Sequence, residues 1–482
     1  MVKLINAGRT DGGRAARTPS VRWVLAGLSL SHLLSSLGTS IANVGLPTLA
    51  RAFDASFQQV QWIVLAYLLA ITTLIVGVGR LGDLTGRRRL LLAGIVLFTV
   101  ASVLCGAAPT LRLLIAARAA QGLGAAVMMA LTMAFVGETV PKARTGRAMG
   151  LLGTMSAIGT ALGPSLGGVL LSGLGWRAIF LVNVPLGLVT FVLAHRHLPV
   201  DRREPGTAPA AAFDRMGTLL LALTLAAYAL AMTLGHGSFG PLNAALLVAA
   251  ALGAGLFVRA EQRATSPLIR PAMFRDRALS TSLAMSTLVS TVMMATLVVG
   301  PFYLARTLRL GESLVGLVLS AGPLVAALTG VPAGRVADRF GAYRTTVAGL
   351  VVIATGSVLL AVTPTTSGVL GYVGPIVVIT AGYAVFQTAN NTAVMADVRP
   401  DRRGVTSGML NLSRNLGLIT GTSAMGAVFA LASATTDVTT AGSGAVATGM
   451  RVTFAVAAAL ILAAVALAAT SRSLTRPVAH GS

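Results

Sequence analysis

The sequence predicts an all-α membrane protein with fourteen transmembrane helices. Of its 482 residues, 55% are hydrophobic and only 11% are charged, whereas about 25% of residues are charged in an ordinary soluble domain. The apolar residues form runs near the length of about 20 that a membrane-spanning helix needs. Most Lys and Arg residues lie in alternate loops between these runs, as the positive-inside rule requires of a correct count.

The fourteen runs follow one another through short connections, which leaves little room for a domain outside the membrane. Trp23, Trp62 and Trp176 fall at the ends of runs, where interfacial aromatic residues collect. We number the runs as spans 1 to 14. They cover residues 23–46, 60–79, 90–108, 112–136, 148–173, 177–198, 216–234, 243–258, 279–304, 313–333, 345–362, 368–392, 404–431 and 450–470.

The placement of the basic residues predicts orientation and location. A net charge of +23 often indicates a nucleic-acid partner, but here the basic residues gather on one face of the membrane. We expect no nucleic acid, both termini in the cytoplasm and contact with anionic lipid. Span 1 is too long for the apolar region of a signal peptide and is expected to be an uncleaved anchor. The excess of Arg over Lys indicates a GC-rich bacterial genome, and the expected location of the fourteen spans is the bacterial cytoplasmic (inner) membrane.

A repeated loop indicates two related halves. Gly79, Arg80, Asp83, Gly86 and Arg89 follow span 2, and the same residue types recur at the same spacing after span 10. The offset is eight spans, so two extra spans are inserted between two six-span halves. The predicted segments are an N-tail (1–22), a first half (23–198), a loop (199–215), two inserted helices (216–258), a loop (259–278), a second half (279–470) and a C-tail (471–482). Two such halves are typical of alternating-access transporters.

The repeated loops are the first candidate site. A carboxylate among arginines can hold the inner face shut and release it on protonation; alternatively, the arginines only fix topology and the acids neutralise them locally. The second acid between matching glycines favours a gate. The candidate gate residues are Gly79, Asp83, Gly86, Arg87, Arg144, Asp338, Gly341 and Arg344.

Spans 4 and 5 carry two further features. Arg118 is a charged residue within span 4, so it should face the protein interior. It is expected to take part in proton exchange, to make the cavity polar, or to cap backbone carbonyls. Gln121 on the same span is a candidate for the same site. On span 5, small residues allow close helix packing and a proline is expected to kink the helix. These residues are Gly159, Gly163, Pro164, Gly167 and Gly168.

Polar residues on spans 1, 12 and 13 form the candidate proton and substrate sites. His32, Thr39 and Asn43 share a helical face with Ser36. Imidazole titrates near physiological pH, so His32 is a hypothesis for the coupling proton or for substrate binding. A hydrogen-bonded structural histidine is the alternative. The candidates in the second half are Gln387, Asn390, Asn391, Asn411 and Arg414, and any of them can instead join helices.

Several of these segments together resemble the major facilitator superfamily. Gly79–Leu90 is similar to its loop between spans 2 and 3, Leu114–Ala126 to its span-4 motif, and Gly159–Gly168 to the span-5 motif of its antiporters. Trp176–Gly187 resembles the entry to span 6 in the fourteen-span drug:proton antiporter family. The resemblance implies the major facilitator fold, with span 5 closing the cavity on the outer side.

Span 1 departs from that family. Its pattern there resembles Leu-Asp-x-Thr-Ile-Val-Asn-Val-Ala-Leu-Pro, and Gly38 replaces the acid in this sequence. All other acids fall in loops, tails, span ends or the two gate loops, so we expect no carboxylate at the membrane midplane. Substrates are then not restricted to cations.

These features predict a secondary active transporter rather than an enzyme. It is expected to export a small amphiphile, such as a drug, an antibiotic or a lipid-like metabolite, by alternating access in exchange for protons. An uncoupled facilitator or importer, and a non-transporting scaffold or receptor, are the alternatives. No nucleotide-binding loop is present, so the proton gradient is the expected energy source. We expect no cofactor and no metal site, and a monomer in the lipid bilayer.

Overall fold

The computed structural model describes residues 21–472 except 76, 141, 200–213, 235–239, 265–266, 270, 397–402 and 434–440. Within these residues, fourteen helices are long and apolar enough to cross a membrane. The predicted fold class and the predicted number of spans are therefore confirmed. Both predicted tails lie almost wholly outside the described residues.

Each span corresponds in order to one predicted run. The helices of spans 1 to 7 are Val21–Val44, Phe57–Ile75, Arg87–Ala107, Leu111–Thr139, Lys142–Leu174, Asn183–His197 with a preceding turn Ala178–Leu181, and Arg215–Thr233. Those of spans 8 to 14 are Pro241–Arg263, Arg277–Phe302, Glu312–Phe340, Ala342–Val362, Gly368–Ala396, Arg403–Thr420 with Gly426–Ala432, and Ser443–Arg472. Short helices Leu46–Ala52 and Val78–Thr85 follow spans 1 and 2.

Several helices differ from the predicted runs in their ends or their regularity. Span 8 continues to Arg263, beyond its last apolar run, and span 5 passes unbroken through Pro164. Spans 9 and 13 each include a π-helical turn, at Tyr303–Thr307 and Gly421–Met425. A hydropathy pattern does not predict polar helix ends or π turns. Apolar content indicates which residues face the membrane, but it does not indicate which backbone hydrogen bonds form.

The helix pairings repeat along the chain. We call spans 1–6 the first half and spans 9–14 the second half. Span 1 packs on spans 5 and 6, span 4 on spans 2 and 3, and span 3 on span 6. The same five pairings recur eight spans later in the second half. The packing thus has the same offset as the repeated loop sequence, while the predicted segment boundaries stay predictions.

The two inserted helices lie beside this pair of bundles. Spans 7 and 8 pack on each other, and span 7 also contacts span 2 and the π turn of span 13. Trp62 Nε1 on span 2 donates a hydrogen bond to Thr233 Oγ1 on span 7 at 3.1 Å. Span 8 exposes Leu242, Leu252 and other large apolar side chains, as a lipid-facing helix does.

Two equivalent glycines turn the chain between consecutive helices. Gly86 joins the short helix Val78–Thr85 to span 3 with φ 96°, and Gly341 joins span 10 to span 11 with φ 84°. Residues other than glycine rarely adopt these angles. The matching glycines of the repeated loop therefore have the same backbone role in both halves.

Gly341→Ala is expected to destabilise the protein by about 1–3 kcal/mol, the cost of a strained backbone conformation. A Cβ on Gly341 would meet no atom within 4 Å, so the penalty comes from the backbone alone. Thermal unfolding of the purified protein measures it. Gly79→Ala is the matched control, because Gly79 is helical and equally open; equal unfolding midpoints for the two variants would contradict the prediction.

Candidate functional site

One face of span 5 packs backbone-to-backbone on span 1. A Cβ on Gly159 would contact the Leu33 carbonyl oxygen, and one on Gly167 would lie 2.7 Å from Val44 Cγ1. On Gly163 it would collide with Ser40. The Ser40 hydroxyl donates to the Gly159 carbonyl oxygen at 3.3 Å. The predicted close packing of these glycines therefore has span 1 as its partner, within the first half.

A second edge of the same helix meets the second half. A Cβ on Gly168 would lie 2.8 Å from the Glu312 carbonyl oxygen and 2.9 Å from Gly316 Cα. A Cβ on Gly316 would collide with the Pro164 carbonyl oxygen. Spans 5 and 10 thus touch through their backbones. We call this end of the molecule, where span 5 ends and span 10 begins, the Glu312 end.

Polar contacts also join the halves at the Glu312 end. Arg51 Nη2 lies 3.1 Å from Glu312 Oε1, and the Thr48 hydroxyl donates to the same oxygen. This is the one ion pair among the described residues. Ser313 Oγ donates to Ser172 Oγ at 2.6 Å.

A further link runs deeper in the protein. Gln61 Nε2 on span 2 donates to the Thr422 carbonyl oxygen, in the π turn of span 13, at 2.8 Å. Gln61 is 1% exposed.

A cavity of about 500 Å³ lies beside the polar contacts of the Glu312 end and is lined in part by Pro47, Arg51, Ser172, Phe302, Arg306 and Glu312.

The contacts of Thr48, Arg51 and Glu312 are not predicted by the sequence. Arg51 and Glu312 are 261 residues apart, so no local pattern links them. The sequence holds a weak signal for this pair. Glu312 is the acid that begins span 10, and Arg51 is a basic residue on the membrane face that is predicted to be poor in basic residues. Only the packing of the two halves shows that they pair.

Arg118 lies wholly inside the first half. Its Nε donates to the Ile63 carbonyl oxygen at 2.9 Å and its Nη1 to the Gly38 carbonyl oxygen at 3.1 Å. Nη1 also donates to Gln121 Oε1, and Gln121 Nε2 donates to Ser102 Oγ at 2.8 Å. The guanidinium lies 4.1 Å from the centre of the Tyr67 ring. These contacts favour the carbonyl-capping role for Arg118, with Gln121 as its side-chain partner.

The polar face of span 1 is largely occupied by local hydrogen bonds. Thr39 Oγ1 donates to the Ser35 carbonyl oxygen at 3.0 Å, and Asn43 Nδ2 donates to that of Thr39 at 3.1 Å. His32 is 5% exposed, and its buried Nδ1 has no hydrogen-bond partner among the described residues. Arg414 of the second half lies close enough for its charge to act on His32. The two candidates therefore lie within electrostatic range of each other, one from each half.

Three of the remaining candidates, Gln387, Asn390 and Asn391, form hydrogen bonds within the second half. Gln387 Nε2 donates to Asn391 Oδ1 at 3.3 Å, and Asn390 Nδ2 donates to the Ser282 carbonyl oxygen at 3.4 Å. The Arg414 Nε is buried with no hydrogen-bond partner among the described residues. Asn411 lies on the same helix as Arg414.

The candidate gate residues are described only in part. Gly79, Gly86, Gly341, Arg87 and Arg344 are described, and the two loop glycines have the positive φ reported above. Helical backbone is present at the other three positions, but their side chains lie outside the described residues. These three are Asp83, Arg144 and Asp338. The gate therefore stays a prediction.

Comparison with known proteins defines the class. The chain is 32% identical over 417 residues to the "Multidrug resistance protein Stp" of Mycobacterium tuberculosis, covering 86% of this chain and 76% of that protein. It is 32% identical over 416 residues to the "Multidrug efflux pump LfrA" of Mycolicibacterium smegmatis, covering 86% and 82%. Identity to the "Riboflavin transporter RibZ" of Clostridioides difficile is 30% over 413 residues, covering 85% and 88%.

Solved structures show the same fold. A bacterial homolog of the human lysosomal transporter Spinster superposes with a TM-score of 0.68 at 16% identity, covering 96% of this chain and 98% of that one. The human organic anion transporter MFSD10 superposes with a TM-score of 0.64 at 16% identity, covering 93% and 100%.

Fold, site and relatives define a multi-pass membrane transporter and not an enzyme. The family model named Major Facilitator Superfamily matches residues 28–422. The chain belongs to the major facilitator superfamily, which confirms the resemblance drawn from its motifs.

Proposed function

We propose that this transporter exports a small amphiphilic compound across the bacterial cytoplasmic membrane by alternating access, in exchange for protons. The proposal places both termini in the cytoplasm and the Glu312 end on the outer face, in accord with the positive-inside distribution of basic residues. The exporter acts as a monomer, and the proton gradient supplies the energy.

The observation that carries this proposal is the backbone contact between Gly168 and Gly316. A helix–helix contact without intervening side chains brings the two halves together at the Glu312 end. Because it needs no interdigitation of side chains, it can part and re-form as the halves rock. In an alternating-access cycle, this contact seals the outer side while the substrate enters from the inner side.

Protons and substrate are proposed to bind between the halves near His32 and Arg414. Both side chains are polar or charged, come from different halves and retain a buried nitrogen without a hydrogen-bond partner among the described residues. Such nitrogens are costly to leave unpaired, and a substrate oxygen or a water can satisfy them. The other polar candidates extend this path. They are Thr39, Asn43, Gln387, Asn390, Asn391 and Asn411.

The gate is proposed at the opposite end of the molecule. Asp83 and Asp338, with Arg87, Arg144 and Arg344, close the inner side once the outer contact parts. The glycines of the repeated loops hold the chain in the turns that this arrangement needs.

Transport by purified protein in liposomes, with and without an imposed pH gradient, tests the proposal. A fluorescent amphiphilic dye that is neutral at the assay pH is the probe. Accumulation only when a pH gradient is present supports coupled export. Equilibration of the dye without a gradient, faster than in protein-free liposomes, indicates the uncoupled alternative. One relative is named as a riboflavin transporter rather than as an efflux pump. No flux in either condition for any dye of a panel indicates a non-transporting protein.

His32→Ala is expected to abolish pH-driven accumulation in this assay, while the protein still folds with an unfolding midpoint lowered by the cavity that the buried ring leaves. The ring Nδ1 has no hydrogen-bond partner among the described residues, so its removal breaks no described hydrogen bond, and it is the group proposed to carry the proton or to contact substrate. Ser29→Ala is the matched control, since Ser29 is also buried on span 1 with an unpartnered side-chain oxygen. Unchanged accumulation in His32→Ala would remove His32 from the proposal.

A further inference from the structure

Two carboxyl side chains converge where spans 7 and 8 meet. Asp214 precedes span 7, and its Oδ1 accepts a hydrogen bond from the Gly217 N–H at 2.7 Å. Glu261 lies in the last turn of span 8, and its Oε2 accepts from the Ile269 N–H at 2.8 Å. Each residue thus uses one oxygen to hold a backbone segment.

The other oxygen of each carboxyl group points to a shared place. A Cβ on Gly217 would collide with both Glu261 Oε1 and Asp214 Oδ2. Both oxygens are buried, and neither receives a hydrogen bond from a described N–H or O–H group. Glu261 is 2% exposed. The two side chains are hydrogen-bond partners as soon as one of them carries a proton.

Charge balance requires a proton or a cation between these two carboxyl oxygens. Two carboxylates within hydrogen-bonding reach of each other in a buried place cannot both stay ionised. The described arginines on the same and adjoining helices point outward, and none pairs with either acid. These arginines are Arg215, Arg259, Arg263, Arg275 and Arg277. Asp214 is the charged group whose field acts on Glu261.

A metal ion fits this place poorly. Calcium takes six to eight oxygen ligands and magnesium requires six in near-octahedral geometry, whereas two carboxyl oxygens are free here. The Gly217 backbone fills the space beside them. A single proton needs only the two oxygens that are present.

We infer that Asp214 and Glu261 form a proton-binding site that holds one proton between two carboxyl groups. The bound proton joins the start of span 7 to the end of span 8, and the Glu261–Ile269 hydrogen bond extends this connection to the segment that leads into span 9. Loss of the proton places two negative charges in contact and loosens the connection. The inference is independent of the proposed export function.

The site makes stability depend on pH with a definite sign. The protonated pair stabilises the fold most at acid pH. This stabilisation declines once the carboxyls of the unfolded chain ionise, and it is gone when the shared proton has left the folded protein. Wild-type protein in detergent is therefore expected to show an unfolding midpoint that falls progressively as the pH rises from about 4.3, where carboxyls of the unfolded chain ionise, to neutral pH. Glu261→Gln is expected to remove most of that fall, because the amide N–H₂ donates permanently to Asp214 while the amide oxygen still accepts from Ile269.

Three comparisons make the test specific. Asp54→Asn, which removes an exposed acid at the other end of the molecule, must keep the wild-type pH dependence. Asp214→Asn must behave like Glu261→Gln, since either amide can donate in place of the proton. Infrared absorption of wild-type protein must show a protonated carboxyl band at neutral pH that is lost in Glu261→Gln, and this measurement remains valid if a variant folds poorly.

Other outcomes overturn the inference. A wild-type pH dependence that persists in Glu261→Gln would place the titration elsewhere. Absence of the protonated carboxyl band would mean that both groups are ionised. Stabilisation of the wild-type protein, but not of Glu261→Gln, by added Na⁺ or Mg²⁺ would show that a cation occupies the place of the proton.

Discussion

Gly168→Leu is expected to abolish transport and to leave the protein folded. A side chain at this position would contact the backbone of Glu312 and Gly316. A backbone segment in a helix cannot relieve this contact by changing rotamer, as a flexible side chain can. Relief requires spans 5 and 10 to separate, which disfavours the closed Glu312 end by about 1–3 kcal/mol, the usual cost of overpacking. The variant should therefore accumulate in the arrangement with this end open.

Distance measurement between spin labels on exposed residues of spans 5 and 10 at the Glu312 end checks this prediction. Gly173→Leu is the matched control, because Gly173 lies on the same helix and a Cβ there would meet nothing within 4 Å. The distance should lengthen in Gly168→Leu and stay at the wild-type value in Gly173→Leu. Full transport by Gly168→Leu would show that the halves need not approach so closely.

Arg118→Ala is expected to be the most destabilising single substitution in the first half. It removes the second hydrogen bond of the Ile63 and Gly38 carbonyl oxygens, which lie within helices, and it leaves Gln121 Oε1 without its donor. A buried acceptor left unpaired costs about 1–3 kcal/mol. The substitution also opens a cavity under the Tyr67 ring. We expect poor expression and a large fall in the unfolding midpoint, measured on protein extracted in detergent.

Arg118→Lys separates the two roles considered for this residue. Lysine keeps the charge but lacks the planar fork that reaches several acceptors at once, so a capping role predicts an intermediate midpoint. If both variants instead unfold like the wild type and lose only transport, Arg118 acts on protons or substrate. Arg414→Ala, which alters a side chain with an unpartnered Nε, should affect stability far less than Arg118→Ala.

Much of the architecture was predictable from the sequence, because the membrane selects for long apolar runs. The order and number of spans follow from hydropathy and from the placement of basic residues. The span-5 glycines were also recognisable, since small residues four apart form one smooth helical face. That Gly168 contacts the other half was not predictable, because a helix face does not specify its partner.

The polar contacts were harder to predict for two physical reasons. Arg51 and Glu312 pair through tertiary packing between distant segments, so neither residue carries a local signal of the other. Glu261 lies in a polar helix end, where hydropathy falls before the helical hydrogen bonds stop. The sequence pattern therefore predicts a loop at Glu261, whereas the structure has a buried helical residue there.

The polar contacts at the Glu312 end are weak. The Arg51–Glu312 pair has relative side-chain exposures of 63% and 30%, and exposed ion pairs contribute about 0–1 kcal/mol. The Ser172–Ser313 hydrogen bond adds about 1 kcal/mol. These polar contacts add only a small free energy to the packing of spans 5 and 10, so a ligand with a modest differential affinity for the open state can offset their share of the cost of opening. Broad substrate acceptance is then compatible with a working cycle, because no single ligand has to supply a large free energy of opening.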